Sequence, residues 1–577
     1  MKKCVLWSVV VSLLVASSSA SPARADVKLP KVIGSHMVLQ RDRPLPIWGW
    51  ASPGEDVTVT LDETKAGTKA DAQGNWKVVL SPVKADGKAH RMIVSGKNKI
   101  EMEDILIGEV WLGSGQSNMK MGIGKSDKGK EHIAAANYPR IRLFCMPPST
   151  SKRAPGLWAE CSPETVQAGA YGNWGGFSGV LYYFGQRLHK DLDVPVGLIS
   201  SSKGGTSIES WTASEPKSGK KSGQRYSGMI APLKPFAVRG AIWYQGEANV
   251  GNGLKYAEKM KTLIEGWRQV WGYDFPVYFV QLPPWSGYKS GSLPPLWEAQ
   301  AASLKIPGTG MVVTTDLVDS IKNVHPKNKF DVGNQLALWA LARDYGKKDL
   351  VYSGPLYKSM KIEGKKIRVS FAHVGGGLAS RDGKELNEFK IAGADGKFVP
   401  AKAVIDGKSV VVSADNVAAP KNVRFGWHKV ANPNLINKAR LPASPFQTDN
   451  WQGGTGDPPP KATGSQKTVD AKAADLPRIA YTGDGGDLQA VIDAAPFGAT
   501  VTCDAKRSLE ISKAITIHRA LTPGGLHARL PKKLGRMPIL IVAAEGVTLS
   551  NLELHGNYDS VSQKDRAPLR VFPETEY

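Results

Sequence analysis

The chain has 577 residues, of which 41% are hydrophobic and 22% are charged, and its formal net charge at pH 7 is +23. This composition excludes a collagen-like, low-complexity or predominantly membrane-embedded chain and indicates several globular domains. A basic surface attracts polyanions, but the lysines are spread along the chain and no nucleic-acid motif accompanies them, so the sequence favours an acidic polysaccharide over nucleic acid as a partner.

Residues 1–25 have the pattern of a secretory signal peptide. Lys2 and Lys3 precede the apolar stretch CVLWSVVVSLLVA, and residues 23–25 read A-R-A, an A-x-A cleavage site. The apolar stretch is short for a membrane span, so a signal anchor is the weaker alternative. We therefore expect a periplasmic or secreted protein that has no membrane span after cleavage and carries a net charge of +20, three fewer than +23.

The remaining sequence changes its pattern at four places. Residues 26–103 contain short strands such as VTVTL and WKVVL between turn clusters, which is typical of a β-sandwich. Residues 104–346 alternate strands with helices, and residues 347–451 return to strands in a second β-module. Residues 452–475 form a Pro/Gly/Ser-rich linker. The segment 476–577 resembles the opening coils of a right-handed parallel β-helix of the pectate-lyase-like superfamily, with too few coils for a complete one.

The alternating region predicts a parallel sheet with helices on both faces. Its longest predicted helix carries Met260, Leu263, Ile264 and Trp267 at helical spacing. Glycine-rich or polar clusters follow four of its predicted strands: GSGQSN, SSSKGGTS, GEANV and DLVDSIKNVHP. Because the carboxyl ends of parallel strands meet at one edge of a sheet, these four clusters predict a binding site there.

Ser117, in the first of these clusters, is either a turn residue that caps the next helix or a nucleophile. A serine nucleophile needs a base and needs donors for the oxyanion. His325 in NVHPKNK is the candidate base, with a surface-loop histidine as the alternative. The backbone N–H groups of Ser117 and Gly205 and the side-chain amide of Gln245 are candidate donors, although Gly205 and Gln245 are also compatible with ordinary loop roles.

Four sequence blocks carry a family resemblance. GEVWLGSGQSNM, GLISSSKGGTSIESW, AIWYQGEANV and HPKNKFDVGNQLA resemble, in this order, the blocks of the sialate O-acetylesterase family, a branch of the SGNH hydrolases with acetylxylan esterase relatives. The resemblance covers roughly residues 27–451. It implies an SGNH-type α/β fold flanked by β-sandwich-like domains, and an exported carbohydrate O-acetylesterase that removes acetyl groups from sugar hydroxyls without a metal or cofactor.

The resemblance also implies residue roles. Ser117 would be the nucleophile and His325 the general base, and Gly205 and Gln245 would complete the oxyanion hole with the Ser117 amide. The residue that orients His325 stays open, because Lys322 stands where the SGNH pattern has an aspartate.

Glu247 in the QGE block is the first candidate for orienting His325. Asp316, Asp319 or a Ser–His dyad backed by a backbone carbonyl are the alternatives. Trp174, Trp211 and Trp285 are candidates for stacking on sugar rings, with core-edge packing as the alternative.

Two other functions are compatible with the sequence. One is a non-catalytic carbohydrate-binding surface protein built on an esterase scaffold. The other, weaker one is a polysaccharide lyase centred on residues 476–577. Pairing of Cys145 with Cys161 also stays open, and no cysteine or histidine cluster has the spacing of a zinc site.

Overall fold

The structure is a computed structural model that describes residues 26–147, 157–168, 174–213 and 222–449, together with the backbone of four short strands in the C-terminal segment. The chain divides into two units, Met1–Ala462 and Thr463–Tyr577, and each is described by itself. Across the described ranges, no helix has the length and apolar character that crossing a membrane requires. The predicted signal peptide and the predicted linker lie outside the described residues.

The N-terminal region is built mostly from antiparallel strands, and only β1 of its strands pairs parallel, with β7. β2 pairs with β5, and β3 pairs with both β4 and β6. Apolar residues alternate with polar ones along these strands, so that Val57, Val59 and Leu61 of β3 all point into the core. The strands are β1 (Val38–Gln40), β2 (Leu45–Trp50), β3 (Asp56–Leu61), β4 (Thr64–Lys69), β5 (Asn75–Leu80) and β6 (His90–Ser95).

Strand β7 (Lys99–Gly115) belongs to two sheets. Its first part pairs antiparallel with β6, and its second part pairs parallel with its neighbours in the central sheet. Asp104 has a left-handed φ of 54°, and the register with β6 shifts between His90 and Met92, which are the marks of a β-bulge. The bulge lies where the sequence predicts the change from β-sandwich to α/β region.

The central sheet confirms the predicted mixed α/β architecture. Its strand order is β13-β12-β11-β7-β10-β8-β9, and all neighbours are parallel except the edge strand β9. The inner strands are buried along almost their whole length, so both faces of the sheet are covered. The added strands are β8 (Tyr138–Cys145), β9 (Trp158–Cys161), β10 (Val196–Ser202), β11 (Gly240–Tyr244), β12 (Val277–Val280) and β13 (Thr309–Val312).

Seven α-helices of the described chain accompany this sheet. α5 buries Met260, Leu263, Ile264 and Trp267, which confirms the helix predicted from their spacing. The helices are α1 (Ser117–Lys120), α2 (Gly129–Ala134), α3 (Pro163–Ala168), α4 (Gly179–Leu192), α5 (Tyr256–Trp271), α6 (Leu293–Ala302) and α7 (Lys329–Arg343).

The region after α7 returns to antiparallel strands. Two four-stranded sheets have the orders β14-β15-β20-β19 and β18-β17-β21-β23, and β16 pairs with β22. The strands are β14 (Leu356–Glu363), β15 (Lys366–Ala372), β16 (Leu378–Ser380), β17 (Phe389–Ala392), β18 (Val399–Pro400), β19 (Lys402–Asp406), β20 (Ser409–Ser413), β21 (Asn422–Phe425), β22 (Leu435–Asn437) and β23 (Phe446–Gln447).

In the C-terminal unit, β24 (Arg478–Tyr481) pairs parallel with β25 (Thr500–Cys503), and β26 (Ala528–Arg529) pairs parallel with β27 (Leu554–His555). The rest of the predicted β-helix segment lies outside the described residues.

Cys161, in β9, is a buried free thiol, so the pairing with Cys145 that the sequence left open is not present. Burial raises the pKa of the Cys161 thiol to about 12.

A buried carboxylate near the bulge joins the N-terminal strands to the central sheet. Glu109 of β7 is fully buried and accepts hydrogen bonds from Arg41 Nε at 2.5 Å, Arg239 Nε at 2.8 Å, Gln40 Nε2 at 3.0 Å and the Tyr345 hydroxyl at 2.9 Å. Burial alone would raise the pKa of Glu109, but the bonds and charges of its neighbours, Arg239 foremost, hold it below its usual range. The carboxylate therefore stays charged and fully satisfied.

Replacing Glu109 by alanine should lower the free energy of unfolding by about 3–5 kcal/mol, because two arginines would lose their buried counter-charge. Urea denaturation followed by tryptophan fluorescence measures the change. Glu101→Ala is the matched control, since Glu101 lies in the same strand but pairs with Arg91 and Lys99 at the exposed surface, where water screens the pairs. Equal losses in the two variants would contradict a central role for the buried cluster.

Candidate active site

Ser117 stands at the point where the central strand ends. β7 finishes at Gly115, whose φ is 135° and whose Cβ position lies 2.2 Å from the Tyr244 carbonyl oxygen, so only glycine fits there. Ser117 is the first residue of α1, whereas the cap position belongs to Gln116, which makes no side-chain cap bond. Among the described residues the Ser117 hydroxyl has no hydrogen-bond partner, which argues against the capping interpretation.

The glycine-rich loop after β10 lies against this turn. Lys203 N–H donates to the Gly115 carbonyl oxygen at 3.1 Å, and the Cβ position of Gly204 lies 3.5 Å from Ser117 Cβ. Gly205 follows with a φ of 70° and is exposed. Within the described ranges, the backbone N–H groups of Ser117, Gly204 and Gly205 donate to no other backbone group, so they are free to bind an oxyanion.

The Gln245 side chain is fully buried and ties three loops together. Its amide nitrogen shares two N–H groups among three acceptors: Gln116 Oε1 at 3.1 Å, the Thr206 carbonyl oxygen at 3.1 Å and Asn249 Oδ1 at 2.7 Å. Its amide oxygen accepts from the Tyr256 hydroxyl at 2.7 Å. In this geometry the amide protons serve neighbouring loops, and an oxyanion role for Gln245 requires a different side-chain orientation.

His325 lies in the loop between β13 and α7 and is half-buried. Its backbone N–H donates to Asn323 Oδ1 at 3.0 Å, and Asn323 Nδ2 donates back to the His325 carbonyl oxygen at 2.8 Å. The Trp174 ring meets the imidazole edge-on, with 4.9 Å between the ring centroids. Burial, followed by the positive charge of Lys329, lowers the pKa of His325, so the imidazole is neutral and able to accept a proton near neutral pH.

Asn118 connects the nucleophile turn to the His325 loop. Its Nδ2 donates to the Val324 carbonyl oxygen at 3.0 Å and to Glu247 Oε1 at 2.5 Å, and its Oδ1 accepts from Lys329 Nζ at 2.7 Å. The residue after Ser117 is therefore bonded to the residue before His325. Over the part of the chain that the structure describes, no hydrogen bond joins the Ser117 hydroxyl directly to the His325 imidazole.

The three carboxylates that the sequence proposed for orienting His325 have different surroundings. Glu247 bonds to Asn118, and its second oxygen, Oε2, is buried without a partner. Asp316 Oδ1 is also buried without a partner, and burial raises the pKa of Asp316 to about 6. Asp319 is exposed and accepts a backbone N–H bond. No described bond links any of the three to the His325 ring.

The comparisons with known proteins agree with one another. Residues 107–341 match the family model of the carbohydrate esterases described as sialic acid-specific acetylesterase. The human sialate O-acetylesterase is 32% identical over 386 residues, which is 57% of this chain and 73% of the human protein. The mouse sialate O-acetylesterase is 30% identical over 432 residues, which is 61% of this chain and 80% of the mouse protein.

A solved structure gives the same result. A carbohydrate acetylesterase from Xanthomonas citri is 39% identical with a TM-score of 0.68, and the match covers 74% of this chain and all of that protein. This chain belongs to the sialate O-acetylesterase family. It is a carboxylic ester hydrolase, and a serine nucleophile is typical of the SGNH hydrolases to which the family resemblance points.

Two sialate O-acetylesterase family residues in this site were not selected from the sequence. Asn118 follows Ser117 directly in GQSNM, and Lys329 closes the HPKNK stretch around His325. Both residues lie inside the sequence blocks that carry the family resemblance. That location is the signal from which they could have been selected. Their bonds to each other join positions 211 residues apart, which no local pattern reveals.

The tryptophans proposed for sugar stacking differ in accessibility. Trp211 is fully buried, and its indole N–H donates to Thr206 Oγ1 at 2.9 Å, so it packs in the core. Trp174 and Trp285 are half-buried. Both adjoin the His325 loop, because Trp174 contacts the imidazole and the Trp285 indole N–H donates to the Lys322 carbonyl oxygen at 3.3 Å. These two are the tryptophans of the set that can meet a sugar ring.

One group of potential metal ligands occurs in the described residues, away from Ser117. His36, Asp104 and Glu160 present donor atoms within 4.8 Å of one another. The Arg142 guanidinium bonds to Asp104 Oδ1 at 3.0 Å and lies 3.5 Å from Glu160 Oε1. An arginine already supplies the positive charge that a metal would supply, so this group is an ion-pair cluster.

Gln245→Leu distinguishes the loop-bracing geometry from a direct role in the oxyanion hole. We expect the free energy of unfolding to fall by about 1–3 kcal/mol, because Gln116, Asn249 and the Tyr256 hydroxyl would each lose a buried partner. Thermal denaturation measures the loss, with Gln186→Leu as a control that removes one half-buried bond, to Tyr182. A variant with wild-type stability and a large fall in kcat would instead support an oxyanion donor.

Proposed function

We propose that this protein hydrolyses O-acetyl esters on sugar hydroxyls through an acetyl-enzyme on Ser117. One observation carries the proposal: a serine with an unbonded hydroxyl follows the end of the central strand beside the glycine-rich loop after β10, and the next residue is bonded to the loop of His325. Family membership supports carbohydrate esterase activity. The acetyl-enzyme and the place of action are our proposals.

The proposed reaction has two acyl transfers. His325 takes the proton of the Ser117 hydroxyl while Ser117 Oγ attacks the acetyl carbonyl carbon, and the resulting oxyanion accepts hydrogen bonds from the N–H groups of Ser117 and of Gly204 or Gly205. His325 then protonates the leaving sugar oxygen. Water attacks the acetyl-enzyme as His325 removes its proton, and the same proton returns to Ser117 when acetate leaves.

The missing direct bond between Ser117 and His325 is compatible with this mechanism. Catalytic hydrogen bonds are often long or misaligned before substrate binds and tighten in the reacting complex. The Ser117 hydroxyl is unbonded and turns freely about its side-chain torsion, while the His325 backbone is fixed by Asn323.

Charge near the nucleophile favours an acidic sugar. Lys120 at the end of α1 is half-buried, and its pKa is lowered first by burial and then by the charge of Lys203 in the loop after β10. Two like charges beside the catalytic turn are stabilised when an anion binds there. We propose an O-acetylated acidic polysaccharide as substrate, and acetate release from a panel of neutral and acidic O-acetylated glycans tests it.

A non-catalytic carbohydrate-binding role is the second candidate. Its supporting observation is the pair of half-buried tryptophans beside the His325 loop, which would bind a sugar with or without chemistry. A binding protein would keep its affinity for the glycan and release no acetate. The assay on Ser117 variants separates the two functions.

Ser117→Ala should reduce hydrolysis of p-nitrophenyl acetate by about 10³-fold or more, because the acyl acceptor is lost. Ser114→Ala is the matched control: Ser114 lies in the same strand, its hydroxyl is buried without a partner, and its removal should leave activity unchanged. Mass spectrometry of quenched reactions should show an added acetyl group on the wild-type chain. Unchanged activity in Ser117→Ala would refute the nucleophile and with it the mechanism.

We also propose that the protein is exported and cleaved after residue 25, on the pattern of the first 25 residues. N-terminal sequencing of the protein recovered outside the cytoplasm should begin at Asp26. Ala25→Leu should impair the cleavage while leaving the folded chain unchanged. Recovery of the full-length chain from the cytoplasm alone would contradict the proposal.

A further inference from the structure

Lys329 is a buried charge that the proposed reaction does not use. It is fully buried, and it is the first residue of α7. Both positions are unfavourable, because burial strips water from the ammonium group and the amino end of a helix repels positive charge. A buried lysine at the amino end of a helix therefore needs a compensating interaction.

The partner of the Lys329 ammonium is an amide. Nζ donates to Asn118 Oδ1 at 2.7 Å and lies 5.2 Å from the centroid of the Tyr244 ring. In the described chain no carboxylate oxygen lies within 4.0 Å of it. The Cβ position of Gly179, at the start of α4, is 3.3 Å from Lys329 Cβ, so the lysine stem is held closely on that side. The nearest acidic side chain on this path is Glu247, on the other side of Asn118, and burial raises the pKa of Glu247.

An ammonium group fixes which way an asparagine amide points. It only donates hydrogen bonds, so it requires the amide oxygen of Asn118 on its side. The two N–H groups of that amide are then directed to the opposite side, where the Val324 carbonyl oxygen and Glu247 Oε1 accept them. The positive charge also polarises the amide and strengthens both of these donated bonds.

We propose that Lys329 is a positioning residue for acyl transfer: through Asn118 it holds the His325 loop against the nucleophile turn, while the Glu247 carboxyl group accepts a second bond from the same amide. The inference rests on the proposed roles of Ser117 and His325. It gives Glu247 a function that needs no bond to the imidazole.

The arrangement has an electrostatic consequence for His325. Burial lowers the pKa of Lys329 to about 7, and the groups that face it and favour its charged form are Glu247, Asp319 and Asp127. The charge of Lys329 in turn lowers the pKa of His325. Below about pH 7, where His325 titrates, Lys329 carries its charge, so removing that charge should raise the pKa of His325 and the base form would appear at higher pH.

Lys329→Met tests the proposal, because methionine fills a similar volume without charge or donor. We expect kcat for p-nitrophenyl acetate to fall by about tenfold or more with KM within about twofold, since positioning for the chemical step is lost and not ground-state binding. The acid limb of the kcat/KM profile should move to higher pH. Lys327→Met, which removes an exposed lysine two residues earlier, should change neither quantity.

A second variant covers the case in which Lys329→Met fails to fold. Lys329→Gln removes the charge but keeps an N–H donor for Asn118 Oδ1, so the buried amide oxygen keeps a partner and the fold is retained. Its acid limb should move to higher pH as in Lys329→Met, while its kcat should fall by a smaller factor. An unmoved acid limb in folded Lys329→Gln would overturn the inference.

The outcomes separate this inference from the proposed function. Loss of activity in Ser117→Ala together with a wild-type kcat and an unmoved acid limb in Lys329→Met would overturn the inference alone. A fall in Tm and kcat without movement of the acid limb would assign Lys329 a purely structural role and would also overturn it. Full activity in Ser117→Ala would overturn the function on which it rests.

Discussion

The position of the nucleophile depends on a single strand that is anchored in two sheets. β7 leaves the antiparallel N-terminal sheet at the Asp104 bulge and becomes the centre of the parallel sheet. Glu109 fixes it there through two arginines, one from each region. At its far end Gly115 passes so close to Tyr244 that no side chain fits. The N-terminal β-region is thus part of the scaffold that places Ser117.

Beyond the strand ends, two neutral amides hold the loops together. Gln245 joins the loops after β7, β10 and β11, and Asn118 joins the nucleophile turn to the loops of Glu247 and His325. A side-chain amide carries a donor and an acceptor at once, so it bridges groups that a carboxylate or an ammonium would leave half satisfied. Each of these amides has its orientation set by a donor to its oxygen, Tyr256 for Gln245 and Lys329 for Asn118.

The sequence predicted the sheet and its functional edge, which depend on local pattern. It did not predict the accessibility and bonding of individual site residues, which depend on side-chain direction. Alternating apolar strands and helices gave the parallel sheet, and polar clusters after the strands located its functional edge. Distinguishing the buried Trp211 from an accessible tryptophan requires knowing how a loop folds against a strand far away in sequence. The sequence left open which residue orients His325, because Lys322 stands where the SGNH pattern has an aspartate.

The buried charged groups at the two ends of the central sheet differ in how completely they are hydrogen-bonded. Near the N-terminal strands Glu109 has a hydrogen-bond donor for each of its oxygens and stabilises the fold. At the carboxyl edge Glu247 and Asp316 each keep one buried oxygen without a partner in the described chain, and Lys329 is buried at a helix amino end. Incomplete satisfaction costs stability, and it persists where charged groups act on a reaction. At this edge the incompletely satisfied carboxylates coincide with the polar clusters that follow the strands, where the sequence pattern predicts the site.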